Sequence, residues 1–213
     1  MTTLDILLTV LTAVSASAAI VAETRERRDL MWIFKPAAMI PIIILAALRP
    51  GTGSPGVYKI FLLAGLVAAL AGDLLVIRID KLFLAGLAAF LVAHLLNIRA
   101  FLSVTPPRVD FLSVLPLFLF ALFMMGILFP YLGKLKIPVA AYILVITVMA
   151  GLAADRYVVM GGTLAFRAFA GAILFLISDA VLALNRFARK IPCGSALKLA
   201  AYFAAQWLLA MSI

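Results

Sequence analysis

The sequence predicts an all-α integral membrane protein: a single bundle of about eight transmembrane helices over residues 1–213, both termini on the non-cytoplasmic side. Three observations carry this expectation. Of the residues, 67% are hydrophobic and 13% charged, about half the roughly 25% charged content of soluble domains. The apolar residues gather in runs of about 20, the length a helix needs to cross a ~30 Å hydrocarbon core. The basic residues concentrate in alternate connections between those runs.

The expected spans are 3–22, 30–48, 57–77, 82–101, 111–130, 137–154, 163–185 and 195–212. The first begins Met1-Thr2-Thr3-Leu4-Asp5, without the basic stretch that precedes a cleaved signal, so it is expected to be retained. The second contains Lys35, Pro36 and Pro41, and the prolines could distort it. The remaining spans follow after short connections, so neighbours should pack antiparallel in one domain. Continuous apolar runs favour helices over a barrel, whose strands would alternate apolar and polar residues.

A net charge of +9 would suit nucleic acid only if the cations shared one face. They lie between the spans instead, so no nucleic-acid partner is expected. The odd-numbered connections carry eleven Lys and Arg: Arg25, Arg27, Arg28, Arg78, Lys81, Lys134, Lys136, Arg186, Arg189, Lys190 and Lys198. The even-numbered ones carry five and the tails none. The positive-inside rule then places the odd connections in the cytoplasm. Cys193 stands alone, which excludes an internal disulfide and a cysteine metal cluster.

Two carboxylates interrupt this pattern. Asp73 and Asp179 lie inside the third and seventh spans, in Ala71-Gly72-Asp73-Leu74-Leu75 and Ile177-Ser178-Asp179-Ala180-Val181. An ionisable group at membrane depth costs roughly 2.5–3.5 kcal/mol on insertion scales and marks a functional site by default. Lys35, Tyr142, His94 and Gln206 fall in the same cytoplasmic half or near the middle, the pattern of one pocket. Gly171, Phe175 and Asp179 share a helix face, as do Phe83, Gly86, Phe90, His94, Asn97 and Phe101, and Tyr202 and Gln206. The two Asp are 106 residues apart, which allows a parallel 4+4 duplication with halves 1–106 and 107–213.

Ordinary structural roles account for much of the rest. Lys35 either snorkels to the interface or neutralises a buried Asp. Asp155 and Arg156 read as an outer-surface pair, Arg167 as snorkelling, and Ser178 as bonded to its own helix backbone. One histidine gives little basis for a zinc site, so neither metal nor cofactor is expected.

Lys35-Pro36, Gly72-Asp73, the run Phe83-x-x-Gly86-x-x-x-Phe90-x-x-x-His94, Ser178-Asp179, and Tyr202-x-x-x-Gln206 before Met211-Ser212 together resemble the YhhN-like lysoplasmalogenase family. Asn97 stands where the family pattern has an aromatic. The resemblance implies a multi-pass membrane enzyme, in the inner or plasma membrane if bacterial. It would hydrolyse the vinyl ether bond of lysoplasmalogens to a fatty aldehyde and glycerophospho-ethanolamine or -choline.

The residues suit that chemistry. Protonation of the alkene carbon distal to oxygen gives an oxocarbenium ion, which water captures. Asp73 and Asp179 would share the acid and base roles, as paired carboxyls do at glycosidic bonds. Lys35 would hold one of them ionised; His94, Tyr142, Tyr202 and Gln206 would position water or the glycerol hydroxyl; Arg78 and Lys81 would meet the lipid phosphate. The substrate partner is then a lysophospholipid among membrane lipids. The rival reading is a proton-coupled transporter of a small or lipid-like substrate, since intramembrane Asp, Lys and His also mark transport pathways.

Overall fold

Apolar runs that cannot expose backbone to lipid must satisfy it internally, and all eight do so as helices. The computed structural model describes residues 2–50, 56–77, 82–106, 108 and 111–213. In chain order these form α1 (Thr3–Thr24), α2 (Arg28–Leu48), α3 (Val57–Ile77), α4 (Phe83–Leu102), α5 (Phe111–Leu128), α6 (Lys136–Met160), α7 (Gly162–Ala183) and α8 (Gly194–Ala210). No strand occurs among the described residues. Seven of the eight are long and apolar enough to cross a membrane; α8, at 17 residues, is the shortest. Thr2 and Asp5 close a reciprocal capping box at the start of α1. Pro36 and Pro41 sit inside α2 without ending it.

The largest departure from expectation is α6, which runs on to Met160. Asp155 and Arg156 are not an outer-surface pair but buried, at 6% and 5% exposure. Arg156 donates to the Tyr58 hydroxyl and stacks over its ring at 4.3 Å, while Asp155 Oδ2 accepts from the backbone N–H of Arg108 at 2.9 Å. A guanidinium with both an aromatic face and an acceptor can leave water, so the helix need not stop there. Arg167 likewise does not simply snorkel: its Nη1 donates to the Met211 carbonyl at 3.2 Å.

Sequential helices pack as antiparallel neighbours, most intimately α3 with α4 and α7 with α8, except that α4 packs on α6 rather than on α5, contrary to the expectation that every neighbouring pair would pack. Small residues set these distances, because helix association in lipid relies on close packing rather than on apolar burial. A Cβ on Gly65 would lie 3.3 Å from the Ala93 carbonyl oxygen and 2.6 Å from Asn97 Oδ1; one on Gly171 would lie 3.0 Å from the Ala205 carbonyl oxygen. Backbone cannot yield as a side chain can, so Gly171→Val should destabilise the protein by about 1–3 kcal/mol. A lowered thermal unfolding midpoint in detergent is the readout; an unchanged midpoint would mean that α7 and α8 part easily.

Leu8, Leu45 and Met211 pack together, and Trp207 Nε1 donates to Thr9 Oγ1 at 3.1 Å. Both chain termini thus lie at one end of the bundle. At the opposite end the Glu23 carboxylate meets Lys198 Nζ at 2.5 Å, which ties α1 to α8.

Candidate functional site

The two intramembrane carboxyls sit in two separate hydrogen-bonded clusters. Asp73, on α3, is 2% exposed; its Oδ1 accepts from Lys35 Nζ of α2 at 3.1 Å and its Oδ2 from the Tyr202 hydroxyl of α8 at 2.5 Å. Lys35 therefore pairs rather than snorkels: it is 4% exposed. Asp179, on α7, accepts at Oδ2 from the Tyr142 hydroxyl of α6 at 2.5 Å. His94 Nε2, from α4, lies 3.1 Å from the same oxygen and 2.9 Å from the Tyr142 hydroxyl. Sequence placed these six side chains on suitable faces, but only packing decides who meets whom.

Aromatic rings separate the clusters. The Phe175 ring centroid is 4.5 Å from that of His94 and 5.6 Å from that of Tyr202, and Phe90 lies 5.9 Å from Tyr202. Edge-on rings exclude water while leaving the charged groups their own partners. Gly72 makes room for this: its Cβ would be 3.0 Å from the Phe90 ring. Gln206 is 1% exposed. Its Nε2, like Nδ1 of His94, has no hydrogen-bond partner among the described residues. Ser178 bonds not its own helix but the Lys198 carbonyl on α8, at 3.0 Å.

The connectivity repeats. Asp73 takes its partners from the helix before it and from α8; Asp179 takes its own from the helix before it and from α4. The helix before each carboxyl supplies Lys35 in one cluster and Tyr142 in the other. Asp73 thus has an ammonium group and a phenol as partners, whereas Asp179 has a phenol and an imidazole.

Two cavities reach this region. A chamber of about 600 Å³ opens at the end away from the termini, and its lining includes Glu23, Lys35, Arg186 and Lys198. A narrow slot of about 40 Å³ runs between α4, α5, α6 and α7, and its wall includes Tyr142, Asp179, Phe120 and Met124. Phe83 and Leu182 border both cavities. Arg78 and Lys81, the expected phosphate contacts, lie outside the described residues. The chamber's Glu23 and Lys198 were missed as functional residues; the only sequence signal for them was the excess of basic residues in the odd connections.

A bundle of long apolar helices with ionisable clusters buried inside it, beside a polar chamber and an apolar slot, is a polytopic membrane protein. The sequence profile of the YhhN family matches residues 30–213, and the chain belongs to that family. It is 29% identical over 184 residues to an "Uncharacterized membrane protein YhhN" of Escherichia coli O6:H1, covering 85% of this chain and 86% of the relative. It is 32% identical over 185 residues to "Lysoplasmalogenase TMEM86B" of Homo sapiens, covering 86% and 76%. It is also 31% identical over 193 residues to "Lysoplasmalogenase TMEM86A" of Bos taurus, covering 85% and 78%. No solved structure matches the chain.

Proposed function

We propose that this protein is a membrane-embedded hydrolase that cleaves the vinyl ether bond of lysoplasmalogens to a fatty aldehyde and glycerophospho-ethanolamine or -choline. The observation that carries the reading is the position of Asp179: a carboxyl in the wall of an apolar slot that shares Phe83 and Leu182 with a polar chamber. The names of the relatives agree with it.

Vinyl ether hydrolysis needs an acid beside an apolar alkene and a carboxylate near the cation that forms. Asp179 fills the first role. Tyr142 and His94 occupy its Oδ2, leaving Oδ1 to carry the proton. That proton goes to the alkene carbon distal to oxygen, and the positive charge moves to the ether-bearing carbon and its oxygen. Asp73, ion-paired with Lys35, stands behind the Phe175 and Phe90 rings; once substrate turns those rings aside, it stabilises the cation and accepts a proton from water as the water oxygen bonds to carbon. The hemiacetal then breaks its bond to the glycerol oxygen, which takes the proton held by Asp73, while the hemiacetal hydroxyl gives its proton to Asp179 as the aldehyde forms and leaves. His94 and Gln206, each with a buried nitrogen to spare, orient water and the glycerol hydroxyl. A chain fills the narrow slot by displacing the α5 side chains Phe120 and Met124 that line it.

The repeated connectivity supports a second element of this reading, a 4+4 duplication of the chain. Gly65 and Gly171, which seat α3 on α4 and α7 on α8, are spaced as Asp73 and Asp179 are. Divergence of the partners on the preceding helices, Lys35 on α2 and Tyr142 on α6, would then have split two equal carboxyls into base and acid.

Purified protein in detergent should release aldehyde from an alkenyl lysophosphatidylethanolamine without any membrane gradient. No aldehyde from folded protein, with ligand-dependent flux in proteoliposomes, would overturn the hydrolase in favour of a carrier.

A further inference from the structure

Irregular backbone gathers around one place in this molecule. Among the described residues only Glu26 and Cys193 combine a side chain with positive φ, each at 55°, and both line the chamber. The sole π-helical turn among the described residues, Leu184–Ala188, contributes Asn185 and Arg186 to the same wall. Left-handed backbone on residues other than glycine costs about 1–3 kcal/mol and persists where surroundings enforce it, commonly at ligand sites; π-turns cluster at such sites too.

The connection from α7 to α8 is built accordingly. Asn185 Oδ1 accepts from the Ile191 backbone N–H at 2.8 Å. Gly194 lies so close that its Cβ would stand 2.6 Å from Asn185 Nδ2. The Arg186 guanidinium lies 4.9 Å over the Phe83 ring, and the Phe187 ring packs edge-on against that same Phe83, 5.9 Å away. This is a basic loop seated on Phe83, which borders both chamber and slot.

Several charges line the chamber. Lys35 and Lys198 pair with Asp73 and Glu23. Arg28, Arg186, Lys190 and Glu26 line the same space. Guanidinium and ammonium groups beside a carboxylate complement a group that carries a phosphodiester and a cation together.

We infer that the chamber is a head-group clamp for a zwitterionic amino-phosphodiester, with the phosphate held by Arg186 and Lys190 of the α7–α8 loop and the ammonium by Glu26. The clamp fixes where the chain starts: a head group held here sends its hydrocarbon past Phe83 and Leu182 into the slot beside Asp179. The inference rests on the alkenyl ether reading for the identity of that chain, while the head-group chemistry comes from the chamber itself.

The test uses a saturated analogue, 1-O-alkyl-glycero-3-phosphoethanolamine, which has no vinyl ether to cleave, titrated calorimetrically into purified protein in non-ionic detergent. Arg186→Gln with Lys190→Gln should weaken binding at least tenfold. Arg186→Lys with Lys190→Arg should retain most of it, and so should Arg189→Gln, a charge of the same loop outside the chamber lining. Glu26→Gln should weaken the phosphoethanolamine ligand more than its phosphoglycerol counterpart. An alkylglycerol without phosphate should bind wild type and the double Gln variant alike. Equal binding of the phosphoethanolamine ligand by wild type and that variant would overturn the clamp. So would inorganic phosphate binding as tightly as the lysolipid, which would mark a site for free anions. Because no turnover is read, the clamp can fail while aldehyde release stands, and the reverse.

Discussion

Asp179→Asn should lower aldehyde release by about 10²–10⁴-fold, the usual contribution of a positioned general acid, while the protein stays folded. The amide still offers Tyr142 an oxygen at the place where Oδ2 now accepts, so helix content and unfolding midpoint should hardly move. What is lost is the transferable proton. Binding should survive, because in the clamp reading the head group is held by the chamber rather than by Asp179; kcat falls and KM does not rise. Tyr142→Phe removes only the donor that orients the carboxyl, and its loss should be smaller than that of Asp179→Asn. Activity of Asp179→Asn within tenfold of wild type would remove Asp179 from the chemistry. A rise in KM with kcat intact would instead make it a binding residue.

The helices were legible because lipid imposes a length and an apolar content on every span, and both are written locally. Helix ends were less so. The expected stop before Asp155 failed because Tyr58, from α3, offers Arg156 a ring and an acceptor, and no local pattern records a partner three helices earlier. Asp73 and Asp179 were visible through their cost at membrane depth alone. Their partners were visible as types and depths but not as pairings, since the choice of Tyr202 for Asp73 and His94 for Asp179 depends on how the two halves of the bundle interlock. The chamber was least legible. Glu23 falls just past the expected first span, 3–22, and Lys198 counted only as another positive-inside charge; their ion pair exists only because α1 and α8 meet.

The Lys35–Asp73 pair makes a second large prediction, in stability. Both side chains are nearly inaccessible, at 5% and 3%. Lys35→Met leaves a carboxylate in a medium that solvates it poorly, and breaking such a pair costs about 3–5 kcal/mol. Adding Asp73→Asn should recover most of that loss, because the amide can still accept from Tyr202 and no charge remains to be compensated. The double variant should therefore melt above Lys35→Met and close to wild type, yet release no aldehyde. This non-additivity separates the two accounts of Lys35. A lysine that merely reached for the interface would give a near-neutral Lys35→Met, and Asp73→Asn would rescue nothing. It also separates stability from chemistry. A stable but inactive double variant would mean that the charged pair is kept at a stability cost for what the carboxylate does to water and to an oxocarbenium ion. A stable and active one would reduce Asp73 to a structural acceptor for Tyr202 and leave Asp179 to act alone.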